Sequence, residues 1–417
     1  MRILILDGNT NQAVASVRSL SRAGHTVVVG ASTRWSKAGW SRYCRGRFTY
    51  PAPQVDGAAF VRRVAEETRR EPGTLVLPMT EATTLPLSAR RDALAEVGGS
   101  VVLPPHATVL GTFDKEHTTA LARSLGLAVP CTAVVGDETQ ARQMALSAPY
   151  PVVLKPRFSE EPGLNGNVRT TCAPAYARTP AQFLEAYERL ARRCRSVLVQ
   201  EFVSGSGAGY FALMRHGELR AEFAHRRIRE VRPTGSGSAV RQSTPASPQM
   251  REAALAMLKA LDWHGVAMVE FRVREDGTLV FLEVNGRFWN SLALAVRSGV
   301  DFPRLLVEMA EKGDTASVPV CRPAVRCRWL LGDLRHLVEV WRGAPDGYPG
   351  RFPGRLRTLV DFLTPVRGTF HDNFQLDDPL PELGDWLDFA LRRVPAAVPI
   401  RDRVRRQPHV QRRYSHP

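Results

Sequence analysis

Glu270, Glu283 and Asn285 stand in two otherwise apolar stretches, GVAMVEFRV and LVFLEVN, separated by a short turn. Val266 to Arg272 alternates and is rich in β-branched and aromatic residues, Asp276-Gly277 is a hairpin turn signal, and Leu279 to Asn285 is the returning strand. Strand side chains repeat with period two, so Glu283 and Asn285 share a face, and Glu270 can reach it from the partner strand. Two carboxylates and an amide oxygen are costly to bury unpaired, and a hard divalent cation with oxygen ligands removes that cost while creating a site. The alternative is a solvated polar sheet face, and the hairpin alone does not choose. Arg287 follows two residues later, within reach of an anion held by such a cation.

Two lysines add to this set. The chain has only Lys37, Lys115, Lys155, Lys259 and Lys312 among 57 basic residues. Lys155 closes the apolar strand YPVVLKP, ahead of a loop bearing Gly163, Asn165, Gly166 and Asn167. An ammonium and backbone N–H groups placed in this way can surround phosphate oxygens, although the stretch is not a Walker A motif. Lys115 opens a helix in DKEHTTALARSLGLAVP, where its charge opposes the macrodipole and gains from a nearby anion. A strand at Ser196 to Gln200 continues through Glu201, Phe202 and Val203 and breaks at SGSGAG, leaving backbone groups free to pair with the edge of an adenine. Arg226, Arg227, Arg229, Arg232 and Arg241 surround a Gly/Ser loop, Gly235 to Ser238. With no aromatic platforms beside them, these arginines suit a carboxylate or phosphoryl group better than a nucleic acid.

The elements that must position these residues begin with MRILIL, a short buried strand, then a helix to about Ala23 and a strand at Thr26 to Val29. This is a β-α-β unit of a doubly wound layer, without the GxGxxG of a dinucleotide site. A helix at about 57 to 70, a strand at Leu75 to Leu77, a helix around 87 to 96 and a strand at Val101 to Leu103 extend it. Thr80 and Glu81 fall just past a strand's carboxyl end, where open sheets carry ligand contacts.

With 417 residues, the chain has room for several domains, and a 44% hydrophobic content is that of an ordinary globular protein. No run of 18 apolar residues and no cleavable leader are seen, so membrane insertion and secretion are not expected and a cytoplasmic setting is. Six scattered cysteines without a CxxC pair argue against a disulfide scaffold or a zinc site. The net charge of +16 raises nucleic acid as a partner. Arginine-rich composition of a G+C-rich bacterial genome, or a positive cleft for small anions, accounts for it as well, and specific nucleic-acid binding is not expected.

The order and spacing of VVLKP, QEFVSGSGAG, VEF and FLEVNGRF, behind a Rossmann-like unit and Lys115, resemble the ATP-grasp superfamily over roughly residues 1 to 315. The likeness is to its carbamoyl-phosphate-synthase-like and carboxylate–amine ligase members. The resemblance implies an α/β and α+β fold: a Rossmann-like pre-ATP-grasp domain (1–112), a small lid subdomain (113–204), a large subdomain with the metal site (205–315), a packed C-terminal extension (316–400) and a basic tail (401–417). It implies ATP and Mg²⁺ as cofactors, two ions being expected and Mn²⁺ an alternative. Lys115 and Lys155 would contact phosphates, and Glu201, Phe202 and Val203 would lie along adenine and ribose. Gly166 and Asn167 would belong to the phosphate-gripping loop, although SEEPGLNGN is less glycine-rich than usual. Glu270, Glu283 and Asn285 would hold the metal. Arg287, Lys155 and Arg229 would act on the transferring group, while Glu81, Arg226, Arg229, Ser238 and Arg241 would line the acceptor side; a protein base is not required if the amine arrives neutral, and His225 is a candidate assistant.

The implied chemistry is carboxylate activation by ATP to an acyl phosphate, then attack by an amine to give an amide, ADP and phosphate. Carbamate activation or phosphorylation of another small acceptor is the enzyme alternative, and a nucleotide-binding protein without turnover is the other class. Beyond Asp314, CRWLLGDLRHLVEVW reads as a helix, Leu356 to Leu363 as a helix or strand, and a last helix starts near Leu383. Capping the active site, binding the second substrate and forming a homodimer contact are all open roles for this region.

Overall fold

The computed structural model describes residues 1–163, 166–316 and 321–391. The expected basic tail, 401–417, lies outside the described residues.

Four parallel strands open the chain, in the order Gly46–Thr49, Thr26–Ala31, Arg2–Ile5 and Leu75–Leu77. Period-two alternation explains how this sheet is buried on both faces. Ile3 and Ile5 join a core with Val14, Val17 and Trp289, while Leu4 and Leu6 join Val28, Phe60 and Val64 on the other side. The helices Asn11–Arg22 and Gly57–Thr68 supply Val14, Val17, Phe60 and Val64, and each is capped by a side-chain oxygen, Thr10 on Ala13 N–H and Asp56 on Ala59 N–H. Val101 to Leu103 is not a strand: only Ser100 bridges to Leu75, and Pro104-Pro105 then ends any ladder. The helix expected around 87 to 96 is two, Glu81–Ala89 and Arg91–Ala95.

A four-stranded antiparallel sheet follows, in the order Thr132–Val135, Val197–Glu201, Val152–Pro156 and Ala175–Ala177, backed by the helices Glu138–Ser147 and Pro180–Ala191. The helix Lys115–Ser124 precedes this sheet in sequence but packs through Ala122 onto the cluster containing Val284 and Phe281, beneath the metal-candidate hairpin.

The largest sheet has seven strands, ordered Leu279–Asn285, Gly265–Val273, Ser206–Arg215, Glu218–Arg232, Ser236–Thr244, Arg326–Arg328 and Thr369–His371. Its last two strands come from beyond residue 315, so the C-terminal region completes this sheet. The same region returns to the N-terminal unit. Asp378 pairs with Arg18, Asp385 pairs with Lys37 at 2.9 Å, and the helix Leu380–Leu391 lies against Trp40 through Gly384.

Candidate active site

The hairpin Gly265–Val273 and Leu279–Asn285 turns through Gly277 at φ 85°, and its register sets Glu270 directly opposite Glu283 and Met268 opposite Asn285. Like charges placed opposite each other across a ladder repel, so the pair must be compensated. Part of the compensation comes from cations within the protein. Arg227 pairs with Glu270 at 2.9 Å, and Lys115 Nζ lies 4.0 Å from a Glu283 oxygen while donating to Ser159 at 2.9 Å. Burial alone would raise the Glu283 carboxyl, but Lys115, Lys155, the Asn285 amide and Arg287 together hold it below the ordinary carboxylate range.

Lys155 alternates with buried Val152 and Leu154 and so points to the cleft side of its strand. Burial pushes its ammonium down to about 8, opposed by Glu283 and Glu270 and reinforced by Lys115. Asp114 positions Lys115: it caps the helix by accepting from Glu116 N–H at 3.0 Å and is gripped by Arg157 Nε at 2.8 Å.

Asn285 accepts from Arg287 at 2.8 Å and donates to Glu283 at 3.1 Å, and Arg287 reaches Glu81 at 3.5 Å. A chain of polar contacts thus runs from the carboxylate pair to the N-terminal unit. Two cavities meet along it. One, of about 360 Å³, holds Lys115, Lys155, His225, Arg227, Ser238 and Glu270. The other, of about 510 Å³, is walled by Asn9 to Gln12, Glu81, Glu160 and, from the C-terminal region, Trp329, Asp385 and Asp388. Both include Ser159, Glu283, Asn285, Arg287 and Asn290.

The donor set fits a hard dication. Among the described residues, no group of three or more His, Cys, Asp or Glu side chains gathers as a self-sufficient metal cage. Two opposed carboxylates beside an amide oxygen instead match an ion such as Mg²⁺, which takes one or two carboxylates and completes its shell with water and substrate phosphate.

Glu201 is engaged by Arg274 at 2.9 Å. Phe202 and Val203 line a third cavity, of about 640 Å³, together with Arg227, Arg272 and Tyr348, whose ring meets Phe202 edge to face. Arg227 thus lines both this third cavity and the 360 Å³ one.

Several expected positions fall elsewhere. Gly166 and Asn167 line none of these cavities: Asn167 accepts from Gly57 N–H at 2.8 Å, and a Cβ on Gly57 would sit 1.9 Å from the Gly166 carbonyl oxygen. Gly166 and Asn167 are docked on the N-terminal unit, and Ser159 stands beside Lys115. Arg226 is exposed and donates to Gln242, because the period-two alternation that turns His225 and Arg227 inward turns Arg226 out. Between Arg227 and Arg229 the register shifts, and Arg229 forks onto Asp333 with two bonds of 2.7 Å, tying the sheet to the helix Leu330–Arg342. Arg241 is fully buried, paired with Asp372. His225 is buried, with Nε2 2.8 Å from the Ser291 hydroxyl. Burial, then Arg227 and Arg241, push it well below the usual histidine range, so it is neutral at physiological pH.

The sequence places Arg227 in a group of arginines suited to a carboxylate or phosphoryl group without singling it out, although period-two alternation separates it from Arg226. One further group, Glu160, is not among the sequence candidates. Glu160, on the short strand Glu160–Pro162, lines the 510 Å³ cavity and accepts the Thr170 hydroxyl on both oxygens at 3.0 and 2.8 Å. Burial raises its carboxyl to about 7, with the Thr170 bond opposing and Glu81 adding to the rise.

Parts of the chain are similar to known proteins. Residues 193–332 match the model of a family described as ATP-grasp in the biosynthetic pathway with Ter operon. A putative D-alanine–D-lactate ligase of Streptomyces coelicolor is 30% identical over 191 residues, 42% of this chain and 51% of that protein. The N-terminal section of the carbamoyl phosphate synthase large chain of Methanopyrus kandleri is 25% identical over 268 residues, 61% of this chain and 45% of its own length. The chain thus spans about half the length of the curated relatives it matches. Among solved structures, the biotin carboxylase domain of Hydrogenobacter thermophilus 2-oxoglutarate carboxylase, in complex with MgADP, ADP and bicarbonate, superposes with a TM-score of 0.61 at 15% identity, covering 78% of this chain and 73% of that one.

Proposed function

We propose that this chain, which has the ATP-grasp fold, is an ATP-dependent ligase that activates a small-molecule carboxylate as an acyl phosphate and joins it to an amine, releasing ADP and phosphate. The observation behind this reading is the convergence of Lys115 and Lys155 on the in-register pair Glu270 and Glu283, with Arg287 leading from that point into a second cavity.

Glu270, Glu283 and Asn285 are assigned to Mg²⁺ bound with the nucleotide. The ion, or the pair expected with ATP, would neutralise phosphate charge, a role Mn²⁺ could also fill. Lys115 and Lys155 bind phosphate oxygens, and the stretch Glu201 to Val203 faces the base. The acceptor carboxylate sits in the 510 Å³ cavity next to Arg287, and its oxygen attacks the γ-phosphorus as ADP leaves. Arg287 neutralises charge on the equatorial oxygens, held in place by Asn285 and Glu81. The amine then attacks the acyl carbon, phosphate departs, and the proton lost by nitrogen passes to Glu160. Arg226, Arg229 and Arg241, turned outward or committed to other partners, are not given a role on substrate. As a consumer of ATP, the enzyme is expected in the cytoplasm.

Phosphate and ADP release measured over a panel of carboxylic acids, with and without amines, tests the proposal. Release that requires both an acid and an amine is the expected result. Release with bicarbonate alone would move the reading to carbamate chemistry, and none under any condition would leave a binding protein.

With the pair so found, a pH profile examines Glu160. A carboxyl lifted to about 7 accepts a proton only above that value, so amide formation in the wild type should fall roughly tenfold per unit as pH drops below about 7. Glu160→Gln should lose that dependence, with a rate about 10² to 10⁴ lower at pH 8. An unchanged profile in the variant would remove Glu160 from the proton path.

A further inference from the structure

The helix Arg355–Leu363 carries apolar side chains on the side facing solvent. Its inner face holds buried Thr358 and half-buried Phe362, and Arg328 fastens it by donating to the Phe362 carbonyl at 2.8 Å and stacking over the Phe362 ring. On the opposite side, Leu356, Val360 and Leu363, spaced i, i+4 and i+7, are 74%, 54% and 67% exposed, and Val366 continues the stripe at 49%. Helical geometry places the first three in one line. Arg351, Arg355, Arg357 and Arg367 flank the stripe, all exposed and none in an ion pair among the described residues, against the single acid Asp361.

We propose that this helix is a surface anchor that lies in the headgroup layer of an anionic lipid membrane, with the stripe turned into the acyl boundary and the arginines on lipid phosphates.

Two features favour this occupant. Self-association through the stripe would press four unpaired arginines of each copy against four of the other. A protein partner needs about 800 Å² from each side for a stable interface, more than three side chains on one convex helix and Val366 beyond its end supply. A convex apolar ridge with a cationic rim suits a fluid interface, where modest apolar burial adds to attraction by anionic headgroups. The contact is adsorption and not insertion, since no helix among the described residues is long and apolar enough to cross a membrane. The apolar stripe itself lines none of the cavities described above.

Flotation of the full chain with vesicles tests it. The protein should float with phosphatidylcholine vesicles containing about one third phosphatidylglycerol and stay behind with phosphatidylcholine alone, and high salt should weaken the binding. The triple variant Leu356→Ser/Val360→Ser/Leu363→Ser should bind the anionic vesicles at least about tenfold more weakly. Its folding is checked by circular dichroism, and because the three side chains are exposed it should fold normally. A Leu356→Trp variant should show a blue-shifted emission on adding the same vesicles. Failure of the wild type to float would overturn the proposal. So would equal binding by the serine variant, which would place the attraction in arginines elsewhere, such as those of 401–417. An unshifted Leu356→Trp emission would likewise show that the stripe does not enter the bilayer.

Discussion

Glu283→Gln should lower substrate-dependent phosphate release by roughly three orders of magnitude or more, while leaving the fold intact. The substitution keeps the shape and removes one negative charge. Glu283 faces Glu270 in register, receives the Asn285 amide at 3.1 Å and lies 4.0 Å from Lys115. Its loss halves the carboxylate charge offered to a dication, and it strips Lys115 and Lys155 of a shared counter-charge. The strand itself is held by Val280, Phe281 and Val284, which are buried and unaffected. Circular dichroism and the thermal midpoint should therefore match the wild type. Turnover within tenfold of wild type would show that the opposed carboxylates are not the catalytic centre, whatever the fold.

The hairpin bearing these groups was readable because its signals are local: an Asp-Gly turn, apolar alternation and two charges in phase. Lys155 was readable as a polar residue at the end of an apolar strand. What brings Lys115 against Glu283 is not local, since the helix Lys115–Ser124 is placed by packing of Ala122 under the hairpin. At Gly166 and Asn167 glycine content marks a loop able to wrap phosphate, and what it does not reveal is that these two residues meet the bare backbone of Gly57, more than a hundred residues earlier in the chain. Among the arginines, strict alternation favours Arg227 over Arg226, and a shift of register after Arg227 redirects Arg229 in a way no periodicity foretells. The C-terminal wall of the larger cavity was the least legible part. Asp385 meets Lys37, and Asp378 meets Arg18, through pairings that span most of the chain.

That last pairing leads to the largest expected stability effect. Arg18 is buried and spends its guanidinium wholly on the C-terminal strap, donating to the Asp378 carboxylate at 2.8 Å and to the carbonyls of Asp372, Asn373 and Asp378 at 3.0, 2.6 and 2.8 Å. Asp378 is equally enclosed, accepting also from the Ser41 hydroxyl at 2.7 Å and Arg42 N–H at 2.8 Å. Arg18→Met fills a similar volume but takes the counter-charge from a buried carboxylate and one donor from each of three carbonyls. Removing one partner of a buried pair costs about 3–5 kcal/mol. The strap is otherwise held by polar pairs, among them Asp385 with Lys37 and Asp372 with Arg241, and not by the apolar clusters, so the loss should appear first as local opening and not as global unfolding. Hydrogen exchange of amides in the helix Leu380–Leu391 should accelerate by roughly two to three orders of magnitude, with the parallel sheet's core strands still protected. Because Asp385, Asp388 and Trp329 wall the 510 Å³ cavity, the same variant should raise the KM for the acceptor more than it lowers kcat. Unchanged exchange in that helix would mean that Arg18 and Asp378 do not hold the strap. Faster exchange with an unaltered KM would detach the C-terminal region from substrate binding.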